Sequence, residues 1–230
     1  MFSNIDWDVI VRSLPYLFFD GMRFTVTLTL LATAGGIVIG TVLALMRLSG
    51  VAPLALPAGA YVNLIRSMPL VLVIFWFYFL VPYIGQWVTG GSRPIQVGAF
   101  WSALVTFTLF EAAYFCEIMR AGIQSVSRGQ VQAAQALGMT YSTAMGYIIL
   151  PQAFRNMVPV LLTQTIILFQ DTSLVYVISV TDFLGAASKI AQRDGRLVEM
   201  YLFAAVVYFV ISLAASHWVR QLQHRIAIIR

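Results

Sequence analysis

The chain has 230 residues, 60% of them hydrophobic and only 10% charged, with a mean hydropathy of +0.85. A soluble domain averages about 45–50% apolar and about 25% charged residues, so a water-soluble fold around one core is excluded and a membrane protein is indicated. The net charge of +5 does not point to nucleic acid, because the arginines stand beside apolar segments, where such residues set membrane orientation.

Residues 5–20 mix Ile5, Trp7, Val9, Ile10, Leu14, Tyr16 and Leu17 with Asp6, Asp8, Arg12 and Asp20, a pattern that suits a short helix lying in the membrane interface. Asp6 and Asp8 stand where a secretory signal would carry basic residues, and no small-residue cleavage site follows. Gly21 to Met46 is almost free of charge and exceeds the roughly 20 residues needed to cross a bilayer. Its Gly35, Gly36 and Gly40 fit either close packing against a second helix or a kink.

A proline-punctuated loop follows, and a second span is expected from Ala58 to Val81, with Arg66 and Pro69 near one end. The third span, Ile95 to Met119, carries Glu111 and Glu117 as well as the single cysteine, Cys116. One cysteine excludes an intrachain disulfide. Residues 120–152 are largely non-spanning. A fourth span from Ala153 to Val180 is interrupted by Pro159 and by Asp171-Thr172-Ser173. A polar loop, Thr181 to Val198, leads to a fifth span, Glu199 to His217, and a basic tail with Arg220, Arg225 and Arg230. The fold class expected is therefore all-α and polytopic, with about five membrane helices. Placing the N-terminus outside and the C-terminus inside puts eight basic residues on the inner side against six on the outer, as the positive-inside rule favours. The expected organisation is an interfacial segment at 1–20, a transmembrane domain at 21–219 and a basic cytoplasmic tail at 220–230.

The most informative stretch is 132–152, "QAAQALGMTYSTAMGYIILPQ". A helix is expected from Ser125 to Leu137, with Val131, Ala134 and Leu137 forming a narrow apolar stripe. Gly138 follows where a helix commonly ends in a left-handed residue, a second helical stretch restarts near Tyr141, and Pro151 suits the first turn of the next helix. Such a helix on the cytoplasmic face fits either a docking part tied to a span or an ordinary loop helix.

Charges inside the spans form a second group of candidates. A carboxylate at mid-membrane costs about 2.5–3.5 kcal/mol on insertion scales, so Glu111 and Asp171 should face protein or water. With Thr172, Ser173 and Arg66 they supply the anion, hydroxyls and guanidinium that an amino acid zwitterion would need. Each also fits a structural role: neutralisation by an arginine, a cap on a broken helix, or, for Arg66, snorkelling to the interface.

Other chemistries find no support. Lys189 is the only lysine and is preceded by Ser188, so no phosphate-binding Gly-Lys-Ser/Thr turn exists. His217 and His224 lie beside arginines with no cysteine near, and no metal site is expected. A secondary transporter or channel would also place charges at mid-membrane, but has no use for a spaced helix–Gly–Leu-Pro module. A membrane enzyme would want a catalytic cluster at the membrane edge.

The stretch resembles the cytoplasmic "EAA" loop of ABC-importer permease subunits: Glu-Ala-Ala, three residues, Gly, nine residues, Ile, one residue, Leu-Pro. Here Gln132-Ala133-Ala134, Gly138, Ile148 and Leu150-Pro151 match at that spacing, with Gln132 replacing the usual glutamate. "GMRFTVTLTL", "LIRSMPLVL", "AAYFCEIMRAGIQSVSRGQ" and "FQDTSL" are similar to the polar amino acid branch, and "VIFWFYFLVP" and "LFEAAYF" to its glutamate/aspartate permeases. The branch usually has Pro at Ser127 and often Lys at Gln170. The resemblance implies an inner-membrane permease with a coupling helix that involves Ser125, Arg128, Gly129, Gln132, Ala133, Ala134, Leu137, Gly138, Leu150 and Pro151. It also implies a second, homologous permease chain, two cytoplasmic ATPase subunits that carry ATP and Mg, and a periplasmic or lipid-anchored binding protein. Glutamate and aspartate are the expected cargo, then glutamine or another polar amino acid.

Overall fold

The computed structural model describes residues 6–226, which leaves Ile5 and Arg230 outside the description. Among the described residues the chain is helical with no strand, and five helical stretches are long and apolar enough to cross a membrane: Trp7–Leu48, Leu70–Thr89, Ala99–Gln124, Tyr141–Ile178 and Leu197–Ile226.

The first stretch joins α1 (Trp7–Tyr16) to α2 (Arg23–Leu48) through a π-helical segment, Leu17–Met22. Asp6 caps α1, its Oδ1 accepting from the Asp8 and Val9 amides at 3.1 and 3.3 Å. Residues 7–20 thus run into the first span without a break in the helix. Pro15 removes one N–H inside α1, and a wider π turn accommodates the loss without ending the helix. Val9, Ile10 and Leu17 pack against Phe183, Ala187 and Met200, so this segment's apolar face meets protein.

The second span starts later than expected. α3 (Ala52–Arg66) ends where Pro69 denies the ladder an N–H and forces the preceding residue out of helical space. The Ser67 hydroxyl turns back to the Asn63 carbonyl at 2.7 Å. The span then runs through α4 (Leu70–Phe75), a π segment at Trp76–Leu80 and α5 (Val81–Thr89).

α6 (Ala99–Gln124) is the central rod, packed by α2, α3, α4 and α9 (Leu150–Asp171). The glycine stripe of α2 lies against it and settles the choice left open by the sequence in favour of close packing. A Cβ on Gly40 would stand 2.9 Å from Phe115 Cβ and 3.0 Å from the Ala112 carbonyl and the Cys116 amide. Backbone cannot yield as a side chain can, so Gly40→Val is expected to lower the melting temperature of the purified protein, by overpacking worth about 1–3 kcal/mol. Gly59→Ala, where only Arg47 Nε comes within 3.9 Å, should melt as wild type. Equal melting of both variants would contradict this packing.

After α6 come α7 (Arg128–Ala136) and α8 (Tyr141–Ala144), then a π segment at Met145–Ile149 that feeds α9. Pro159 leaves α9 unbroken, but at Asp171 the helix tightens into a 3₁₀ stretch, Thr172–Ile178, where the sequence placed an interruption. The expected polar loop contains a helix, α10 (Phe183–Asp194), and α11 (Leu197–Ile226) carries the last span into the basic tail.

Asp182 is fully buried and caps α10, accepting from the Leu184 and Gly185 amides at 3.0 and 2.9 Å. Burial pushes its carboxyl up to about 6, from an ordinary value near 4. The folded state therefore holds this proton more tightly than the unfolded one. It gains stability below pH ~4 and loses that gain as pH rises through about 6. Asn also caps helices, so Asp182→Asn should remove this part of the pH dependence. The wild type is expected to lose more melting temperature than the variant between pH 5 and 7.5; identical losses would refute the assignment.

Candidate functional site

The motif stretch folds into a short helix bounded by turns at both ends. Ser125 is the C-cap of α6 rather than the first residue of α7, which starts after Ser127. Ser125 fastens this corner: its hydroxyl donates to the Gly122 carbonyl at 2.7 Å and accepts from Asn156 Nδ2 on α9 at 2.7 Å. The root of α7 is thus tied to two membrane spans.

The end of α7 is a Schellman motif. Met139 N–H bonds the Ala134 carbonyl at 3.0 Å and Gly138 N–H bonds the Gln135 carbonyl at 2.9 Å, with Gly138 at φ +79°. That conformation is the one glycine adopts at least cost. The Thr140 hydroxyl caps α8 by accepting from the Thr143 amide.

The apolar stripe is narrower than expected. Ala134 is 1% exposed and Val131 half-buried, but Leu137 is 82% exposed. Leu137 is the C-cap, with ψ near 7°, so it has left the helix and the three-residue period no longer applies. Arg128, Gly129, Gln132, Ala133, Gly138 and Pro151 are all exposed, and Leu150 is half-buried. The coupling candidates thus divide into an anchoring set, Ser125, Ala134 and Leu150, and a presented set. Tyr141 and Tyr147 add exposed aromatic surface beside it.

The candidates inside the spans do not converge on one point. Glu111 is 0% exposed, and Gln164 Nε2 of α9 donates to its two oxygens at 3.3 and 3.1 Å. In this conformation it links α6 to α9 and has no surface for a ligand. Thr172 is also fully buried, its hydroxyl donating to the Phe169 carbonyl at 2.7 Å. Asp171 and Ser173 are half-buried. Arg66 lies elsewhere, over the Tyr114 ring at 5.4 Å and 3.9 Å from Glu117 Oε1.

Glu117 itself, which the sequence left without a role, is the most heavily charged point of the bundle. Arg47 donates to Oε1, and Arg120 donates to Oε2 through Nε and Nη2 at 3.1 and 2.7 Å. Glu117 also lines a cleft of about 420 Å³ between α6 and α9 that reaches down to Ser125 and Asn156. The i,i+3 spacing of Glu117 and Arg120 was legible as a helical pair. The convergence of Arg47 and Arg66 was not, because it depends on where α2 and α3 end. Among the described residues no group of three or more His, Cys, Asp or Glu side chains could hold a metal ion.

Residues 36–228 match the family described as the binding-protein-dependent transport system inner membrane component. The chain belongs to this family. It is 59% identical over 224 residues to the glutamate/aspartate import permease protein GltK of Escherichia coli O6:H1, covering 97% of this chain and 99% of that one. It is 35% identical over 210 residues to the probable glutamine ABC transporter permease protein GlnM of Bacillus subtilis, covering 91% and 93%. Among solved structures, the crystal structure of an amino acid ABC transporter with histidines superposes with a TM-score of 0.87 at 34% identity, over 96% of this chain and 99% of that one. The chain is therefore an integral inner-membrane permease subunit of an ABC importer, and its all-α polytopic architecture agrees with that membership.

Proposed function

We propose that this chain is one half of the path through which an ATP-driven importer moves acidic amino acids, glutamate and aspartate, into the cell. The observation that carries the reading is the short α7 module, fixed to two spans by Ser125 and closed by Gly138, in a chain so similar to a glutamate/aspartate permease. Glutamine is the second reading, favoured by the similarity to GlnM.

In this proposal the N-terminus is outside and the C-terminus inside. α7 with its flanking residues, 120–152, receives one of two cytoplasmic ATPase subunits, which carry ATP and Mg. Arg128, Gly129, Gln132, Ala133 and Leu137 form the contact face, Leu137 as its apolar plug. Ser125, Ala134 and Leu150 pass the motion to α6 and α9, and Pro151 stands exposed at the start of α9. A second, homologous permease chain completes the path, and a periplasmic or lipid-anchored binding protein delivers the solute. Asp171, Ser173 and Arg66 are the groups with surface to meet it. Glu111 and Thr172 hold the helices that carry them, Glu111 becoming a contact only if α6 and α9 part.

The test is co-purification in gentle detergent, then uptake of labelled glutamate, aspartate and glutamine by the reconstituted complex. A co-purifying ATPase and ATP-dependent uptake that prefers glutamate and aspartate are expected. Uptake without an ATPase, or with glutamine preferred, would overturn the respective part of the reading.

A further inference from the structure

The run from Phe24 to Met46 carries no charge. As a helix it rises about 33 Å, close to the thickness of a bilayer interior, about 30 Å. Asp20 and Arg23 stand just beyond it, level with lipid headgroups. The Phe24 ring meets Phe100 edge-on at 5.5 Å, at the start of α6 and so at the end of the bundle away from α7. Tyr83 and Trp87 close the preceding span and Trp101 opens α6, and all three are exposed. Tyr and Trp gather in this way where a bilayer meets water.

A cleft of about 370 Å³ opens at this level, lined by Asp20, Arg23, Thr27 and Thr181 and walled by Phe19, Phe24 and Phe100. Lys189 of α10 donates to the Thr181 hydroxyl and brings a second cation to the rim. Elsewhere on α1, α10 and the start of α11 charges are matched: Arg12 and Arg193 share Asp194, and Arg196 is met by Asp6 and Glu199. Asp20, Arg23 and Lys189, all exposed, join no ion pair among the described residues. The cleft thus offers one anion and two cations that do not neutralise one another. Deeper in the membrane, Leu31 and Val38 follow Phe24 and Thr27 along one face of α2. They are exposed, as is Val105 of α6.

We infer that this cleft holds the headgroup of a phospholipid that carries a primary ammonium, and that its tails lie along α2 and α6. Arg23 and Lys189 take the phosphate, whose two unesterified oxygens can be shared between two cations. Asp20 takes the ammonium. A primary ammonium has three N–H donors for a carboxylate, whereas the trimethylated ammonium of choline has none, so Asp20 is the residue that discriminates between headgroups. The inference does not depend on which solute is carried. In the orientation proposed above the lipid belongs to the outer leaflet.

The experiment places the purified protein, with any subunit that accompanies it, in nanodiscs of phosphatidylcholine doped with a lipid whose tails are brominated. Bromine quenches tryptophan at contact range, and the Trp101 ring stands 5.6 Å from the Phe100 ring that walls the cleft. The Trp101 signal is the difference between wild type and Trp101→Phe. Brominated phosphatidylethanolamine should quench it about two- to fivefold more effectively than brominated phosphatidylcholine, the span for an exposed ion pair. Asp20→Ala should bring the two lipids level, and Asp20→Glu should keep the preference. Arg23→Gln should weaken both. Native mass spectrometry of the extracted wild type, scored as lipid retained, should give the same ranking without any variant. Equal quenching by the two headgroups, or an unchanged preference in Asp20→Ala, would overturn the inference. So would two other results: no quenching of Trp101 at all, which would assign this face to a neighbouring subunit, and loss of quenching on adding free glutamate, which would assign the cleft to the solute.

Discussion

Gly138→Ala is expected to leave the complex assembled but cut uptake by about tenfold, the equivalent of ~1.4 kcal/mol, with ATP hydrolysis reduced far less. Gly138 sits at φ +79°, where a residue bearing a Cβ pays about 1–2 kcal/mol. No heavy atom lies within 4 Å of the position such a Cβ would take, so backbone strain alone is at work. The strain falls on the two bonds that close α7 and aim Met139 and Thr140 into α8. The size of the substituent should therefore matter little: Gly138→Leu should resemble Gly138→Ala, and Gly138→Asn should recover most of the uptake because asparagine tolerates the left-handed region. Uptake and stimulated hydrolysis are measured on the same reconstituted vesicles. An unchanged transport-to-hydrolysis ratio in Gly138→Leu would remove α7 from the coupling path.

The second large effect is expected at Glu117. Glu117→Gln leaves three arginines facing one another with no carboxylate. Removing one member of a buried pair costs about 3–5 kcal/mol, and the partial exposure of Arg66 and Arg120 places this site at the low end of that range. A sharp fall in the yield and melting temperature of the purified protein is expected. Adding Arg66→Gln to the same chain should recover part of the loss, because it returns the number of unmatched cations to that of the wild type. The four melting temperatures form a double-mutant cycle. Strict additivity would mean that Arg66 and Glu117 do not act together.

The parts of this fold that were readable in sequence depend on local rules. Gly138 ends α7 because glycine alone takes that backbone cheaply, and the change of helix type at Asp171-Thr172-Ser173 coincides with polar side chains that bond their own backbone. The long apolar runs gave the spans. Other features depend on distant partners. Residues 7–20 look amphipathic in isolation, and only Phe183, Ala187 and Met200 turn their apolar face into a packing surface. α10 is hidden because most of its buried face is made of small residues, Gly185, Ala186, Ala187, Ser188 and Ala191, beside a few polar ones, although Asp182 before it and Gly195 after it are ordinary helix signals. For the candidate site, the α7 module followed from spacing. The Glu111–Gln164 link and the Arg66–Glu117 approach required knowing which faces of α3, α6 and α9 meet.

The break at Ser67-Met68-Pro69 has a consequence for the surroundings of the bundle. Val73, just past it, belongs to one cluster with Phe110 and Ala113, about 16–21 Å along α6 from the Gln124 end, well within a hydrocarbon layer about 30 Å thick. The first helical bonds there run from Leu72 and Val73 to the Pro69 carbonyl, so the Leu70 and Val71 amides begin the rod without partners in it. Oil offers such groups nothing. This flank must therefore border a hydrated lumen or the polar side of a neighbouring subunit, and acyl chains are confined to the remaining circumference.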